Sequence, residues 1–222
     1  MAHDRGKGDD AAAKITCSIN TKGGGGVLPR LKLARDLLRS TGVWQLISPW
    51  NPVIAGSIPL GIDTVASDID VLCEVPNLDA FVLRAVQLVR FPGCSLHREQ
   101  DADPPAIVCR LAVEGRSVEL FAQSTPVTEQ RAYRHMIAEK RLLDAAGSDA
   151  ATEIRRLKML GIKTEPAFTE LFALAGDPYL TLLEVPDWSD NQVTDTVRRA
   201  RRVRSECPFC LTVDADSDVT VY

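Results

Sequence analysis

Three short features of the sequence carry residue types that could do chemistry together: Gly56-Ser57, the pair Asp68 and Asp70, and Glu119. Gly56 permits close approach of the backbone, and Ser57 with the N–H groups that follow it can hydrogen-bond phosphate oxygens. Residues two apart on a strand share a face, so Asp68 and Asp70 present hard oxygen donors toward one point. Carboxylates that close repel, and a bound cation is the natural compensation, with magnesium or manganese suited to oxygen ligands. Glu119, flanked by apolar residues in Ser117-Val118-Glu119-Leu120-Phe121, is costly on a central strand unless it has a partner, and is the expected third carboxylate. Three acids with a metal would suit phosphoryl transfer, the third orienting or deprotonating an attacking hydroxyl.

The elements needed to position these residues are legible around them. Pro52 to Ala55 is a short apolar run ending at Gly56, and Ile69 to Val75 is rich in strand formers, so the two are expected as neighbouring strands. Ile107–Val113 and Ser117–Ala122 read as a hairpin through Glu114-Gly115, which would fix Glu119 in space. Leu31 to Leu38 and Leu78 to Val89 have helical periodicity, the second with Phe81, Val82, Ala85, Val86 and Val89 on one side. Beyond Pro126, helices are expected over 129–146, 150–160, 165–175 and 178–184, punctuated by Gly147, Gly161 and Gly176.

Further candidates are weaker. Asp63 lies in the loop between Ser57 and Asp68, where it could hold a second metal or a water, though loop aspartates more often bond their own backbone. On the expected helix after the sheet, Arg134 could meet phosphate and Tyr133 could stack on a base, with His135 between simple packing and the site. Lys158 and Lys163 are cations that could close over a triphosphate from the helical half. Gly23 to Gly26 are not followed by Gly-Lys-Ser/Thr and read as a linker. Cys207-x-x-Cys210 supplies half of a zinc site and nothing nearby completes it, so coincidence is the preferred reading. His97 in a polar loop and His3 near the start have no nucleophile beside them, so a hydrolytic triad is unsupported.

An apolar strand, Gly-Ser, about ten residues, Asp-x-Asp between apolar neighbours and a later carboxylate in a hairpin resemble the DNA polymerase beta-like nucleotidyltransferase superfamily. Gly61-Ile62-Asp63, Ser67-Asp68-Ile69-Asp70, Ala132-Tyr133-Arg134-His135-Met136 and Gly161-Ile162-Lys163-Thr164-Glu165-Pro166-Ala167-Phe168 look like a bacterial domain-of-unknown-function family in that superfamily, number 4269. The resemblance spans about Leu31 to Val185. It implies an α/β (α+β) fold with a mixed sheet flanked by helices and a helical C-terminal half. It also implies Asp68, Asp70 and Glu119 as catalytic metal ligands, Gly56 and Ser57 as the phosphate-holding turn, and a nucleoside triphosphate as substrate. Glu119 stands where aspartate is often found, its extra methylene moving the carboxylate by about one bond length.

The function expected is transfer of a nucleoside monophosphate to a hydroxyl acceptor that the sequence does not name. The alternative is a binding or antitoxin-type module that keeps the pocket and works through a protein partner, with Ser57 merely ending a strand and Glu119 paired to Arg116 or Arg110. The organisation expected is a flexible leader at 1–26, a nucleotidyltransferase-like domain at 27–186 (sheet core about 43–126, helical part about 127–186) and a variable tail at 187–222. With 45% hydrophobic and 25% charged residues in 222, the bulk should fold, and the net charge of -4 gives no sign of nucleic-acid coating. No apolar run approaches the roughly 20 residues of a membrane helix, so a cytoplasmic location is the default expectation. Cys17, Cys73, Cys94 and Cys109 lack framework spacing and read as reduced thiols.

Overall fold

The computed structural model describes residues 27–100 and 102–206. The expected leader, His3, Cys17 and the Cys207–Cys210 pair lie outside them. Helix α1 (Val27–Ser40) and the short α2 (Val43–Ile47) lead into β1 (Val53–Ala55), and a loop returns the chain to β2 (Ile69–Glu74). After α3 (Leu78–Ala85) come β3 (Ser95–Glu99), β4 (Ala106–Val113) and β5 (Arg116–Gln123). The helical half consists of α4 (Arg131–Ala146), α5 (Ser148–Met159), α6 (Thr164–Leu171), α7 (Pro178–Glu184) and α8 (Asp190–Glu206). Strand order is β1-β2-β5-β4-β3, with β2 and β5 parallel and the other neighbours antiparallel. This is the mixed sheet with a helical C-terminal half that the sequence leads one to expect.

Alternation along the central strands divides the core in two. Ile69, Val71 and Cys73 of β2, with Val118, Leu120 and Ala122 of β5, face a layer built from α1, α2 and α3. Leu72 and Phe121 face the opposite way, toward Met136, Leu142, Ile154 and Phe168 of the helical half. Side chains on a strand point to opposite faces in turn, so Asp70 and Glu119, in phase with Leu72 and Phe121, must also face the helical half. Helix α8 extends this layer, burying Val193, Val197 and Ala200 against it.

Two local features differ from the expectation. The helix begun at Leu78 tightens after Ala85 into a 3-10 turn over Val86–Arg90. The change of phase leaves Val86 and Val89 59% and 65% exposed and turns Leu88 inward instead. His97, expected in a loop, lies on β3, opposite Val108 of β4. That strand is a polar edge, Ser-Leu-His-Arg-Glu, which has no buried face to impose alternation. Cys73, Cys94 and Cys109 are free thiols, and burial pushes the Cys73 thiol up to about 12, which keeps it protonated and inert.

Helix α3 starts at a side-chain cap: Asn77 Oδ1 accepts from the N–H groups of Asp79 at 3.0 Å and Ala80 at 3.2 Å. Asn77→Ala leaves both donors without that acceptor and is expected to cost about 1 kcal/mol. An urea-unfolding midpoint shifted down with unchanged slope would show it.

Candidate active site

Gly56 follows β1, and the pairing of Ala55 with Asp70 brings the Gly56 backbone against the Asp70 side chain. Gly56 has φ +67, and a Cβ added there would sit 2.2 Å from Asp70 Oδ2. Both the left-handed backbone and the close approach require glycine. From Ser57 the loop folds back on itself, the Ser57 carbonyl accepting from Leu60 N at 3.3 Å and Ile62 N at 3.2 Å. Ile58 anchors one side of this loop in the α1 layer, and Leu60 and Ile62 anchor the other in the helical layer. Arg155 of α5 also donates to the Gly61 carbonyl. A turn fixed at this many points holds Ser57, itself buried, where it lines the cavity beside Asp70.

On the parallel pair β2–β5, Asp70 is in register with Glu119, and on the antiparallel pair β5–β4 Glu119 is in register with Arg110. The three side chains form a row across one face of the sheet. Arg110 Nη2 lies 2.8 Å from Glu119 Oε2. Burial, with the charges of Glu119 and Asp68 nearby, pushes the Asp70 carboxyl up from 3.8 to about 7, opposed by Lys158.

The cavity over this row has a volume of about 690 Å³, and Gly56, Ser57, Asp70 and Glu119 form one wall of it. The facing wall is α4 and the start of α6, which contribute His135, Met136, Glu139 and Glu165. His135 and Glu139 are four apart and so share one face of α4. His135 Nε2 is 2.8 Å from the Tyr179 carbonyl, to which it must donate, and Nδ1 is 3.4 Å from Glu165 Oε1. Burial acts to raise Glu165, but the hydrogen bond from His135, a backbone N–H and the charges of His135 and Lys163 leave its carboxyl below the ordinary value. Glu139 is buried, and burial together with the charge of Glu165 drives its carboxyl well above the ordinary range. Burial lowers the Lys158 ammonium, against the opposing pull of Glu139, Asp63, Asp70 and Glu165.

Of the residues singled out in the sequence, the structure brings Gly56, Ser57, Asp70 and Glu119 to one cavity. Asp68 is close enough for its charge to act on Asp70, but it precedes the first residue of β2 and is exposed, so strand alternation does not set its direction. Two residues expected at the site lie elsewhere. Asp63 Oδ1 is 2.9 Å from Arg30 Nη1, in a separate cavity between α1 and α5. Arg134 donates to the Leu183 carbonyl at 3.0 Å and to Asp187 at 2.8 Å, tying α4 to the end of α7. Arg134 is one step around the helix from His135, about 100° off the cavity face. Tyr133 is buried in the helical core. Glu139 and Glu165 were missed, because an acid in a helix ordinarily reads as solvent-facing; the signal was Glu139 at i+4 from His135 among Met136, Ala138 and Leu142.

As ligands for a divalent cation, Asp70 and its neighbours fit in chemistry: they are hard oxygen donors whose mutual repulsion a cation would relieve. Among the described residues no three acidic, histidine or cysteine side chains are gathered as a metal would gather them, and Glu119 is drawn toward Arg110.

A family model, domain of unknown function 4269, matches residues 36–185. The chain belongs to that family. Among solved structures, a GLD-2/RNP-8 complex is similar at 14% identity with a TM-score of 0.41, over 84% of this chain and 82% of that one. A cytoplasmic RNA terminal U-transferase is similar at 11% identity and TM-score 0.43, covering 89% of this chain and 72% of that one. Cid1 in complex with its short product ApU is similar at 15% identity and TM-score 0.40; the match covers 78% of this chain and 51%, about half, of Cid1. A search of curated proteins finds no match. Among the described residues no helix is long and apolar enough to cross a membrane.

Proposed function

We propose that this protein is a metal-dependent nucleotidyltransferase, moving a nucleoside monophosphate from a nucleoside triphosphate to a hydroxyl acceptor. The observation that carries the reading is the contact of a side-chain-free Gly56 backbone with the Asp70 carboxylate, with Glu119 one strand over, at the wall of a cavity of about 690 Å³. That volume is within the usual range for small-molecule sites. Ser57, which lines the cavity beside Asp70, binds the phosphates. Asp68, Asp70 and Glu119 would hold the cation, Glu119 exchanging its Arg110 partner for the ion. Magnesium bound there would neutralise charge on the phosphate oxygens and make the acceptor hydroxyl more acidic. Glu119 orients that hydroxyl and takes its proton; the hydroxyl oxygen bonds to the α-phosphorus as the bond to pyrophosphate breaks.

The test is incubation with magnesium, α-labelled nucleoside triphosphates and a panel of hydroxyl acceptors, beside Asp70→Asn and Asp68→Asn. Label transferred by the wild type and lost in the variants is the expected result. Equal transfer, or none with any acceptor, sinks the reading.

One observation favours a second reading. The Arg110–Glu119 ion pair occupies the third carboxylate, as in a module that keeps the pocket and acts through a protein partner. The two readings part on Arg110→Gln. A half-exposed pair of this kind is worth under about 1 kcal/mol, so if Glu119 serves the cation, releasing it should lower the magnesium requirement about two- to fivefold. In the binding module the magnesium dependence would not change.

A further inference from the structure

We propose that the helical wall of the cavity is a subsite for a protonated amine, with Glu139 as its counter-charge, so that the acceptor is a hydroxylated amine. The word acceptor rests on the nucleotidyltransferase reading; the amine subsite stands on the wall itself. Glu139 is only 3% exposed, and that remnant opens on the cavity. Among the described residues it has no hydrogen-bond partner, and its environment is shaped by burial and charge alone. A buried carboxyl without a partner costs free energy that a ligand cation at hydrogen-bond distance returns.

The surroundings choose the sign of that ligand group. Asp70, Asp103, Glu119, Glu129, Glu139 and Glu165 line the cavity, against Arg131 and His135. On the sheet wall the acids have a use in holding a cation. On the helical wall Glu165 is engaged by His135, and Glu139 is left over. Lys158 lies near enough for its charge to act on Glu139, yet it forms no ion pair with it among the described residues. An anionic group there would meet the carboxylate of Glu165 and the field of Asp70, whereas an ammonium lets Glu139, which those same surroundings keep protonated, release its proton and pair with it. A molecule that spans the cavity must therefore offer a hydroxyl to the Asp70–Glu119 side and a cation to the Glu139 side. An amino alcohol or amino sugar has both.

Glucamine and sorbitol, which differ by an ammonium in place of one hydroxyl, isolate the charge. Each is titrated by calorimetry into wild type and Glu139→Gln in magnesium buffer at physiological ionic strength, with magnesium–ATP titrated separately into the wild type. Glucamine should bind the wild type at least about tenfold more tightly than sorbitol, as a charge-assisted hydrogen bond implies, and Glu139→Gln should close the gap. Equal binding of the two by the wild type overturns the proposal without recourse to any variant. A gap that survives Glu139→Gln overturns the assignment to that residue. Failure of magnesium–ATP to bind, with the glucamine preference intact, would instead remove the nucleotidyltransferase reading and leave the amine subsite standing.

Discussion

At pH 8, without divalent cations, Asp70→Asn should melt at a higher temperature than the wild type, by roughly 5 °C or more. Asp70 is an acid whose carboxyl is held in the fold at about 7 against 3.8 unperturbed, chiefly by burial and then by Glu119 and Asp68. The folded state therefore binds the proton more tightly than the unfolded state. The stability linked to that proton is fully present below about 4 and is lost as the pH rises through about 7. The span from 3.8 to about 7 corresponds to at most about 4 kcal/mol. Asparagine keeps the shape and removes the charge, so the variant should lose most of this pH dependence. Magnesium added at pH 8 should restore stability to the wild type and do little for the variant. Melting curves from pH 4 to 8 with and without magnesium check each part; parallel profiles for the two proteins would contradict the burial of a charge at Asp70.

Gly56→Ala should do the reverse: cost little stability and most of the site. The alanine Cβ would fall 2.2 Å from Asp70 Oδ2, well inside any contact distance, at φ +67. The left-handed conformation costs an alanine roughly 1 kcal/mol. The clash is with the end of a side chain, which can rotate away, so the fold need not break. In the proposed reaction the carboxylate would then be turned from the cation and phosphates, and misplacement of about 1 Å costs on the order of a hundredfold in rate. A double-mutant cycle separates the two effects. In an Asp70→Ala background the clash is gone, and Gly56→Ala should retain only its small backbone cost. Fully additive losses in magnesium–nucleotide binding would show that the two residues do not act through each other.

The residues that the sequence placed well are those whose direction follows from strand periodicity. Asp70 and Glu119 each sit between residues of the opposite face, and once β2 and β5 pair in register they must meet. Gly56 was legible because it follows β1, beside the strand that carries Asp70. Asp68 fell just outside the strand, where alternation no longer dictates direction. Arg134 and Asp63 went astray for another reason. A cation on a helix or an acid in a loop takes whatever partner packing supplies, and here those partners are Asp187 and Arg30. Glu139 shows the same limit from the other side: only the packing of α4 over the sheet distinguishes it from Asp144, the exposed acid of the same helix. The polar edge strand β3 had no buried face and so left no hydrophobic signal.

Asp70, framed by Gly56 and Glu119, is proposed here as the metal and nucleotide centre of the molecule. Its most direct test is calorimetric titration of ATP into wild type and Asp70→Asn, each with and without magnesium. Saturable binding by the wild type only with magnesium is expected, and its loss in Asp70→Asn while the variant remains folded. Magnesium-independent binding, or equal binding by both proteins, would contradict it.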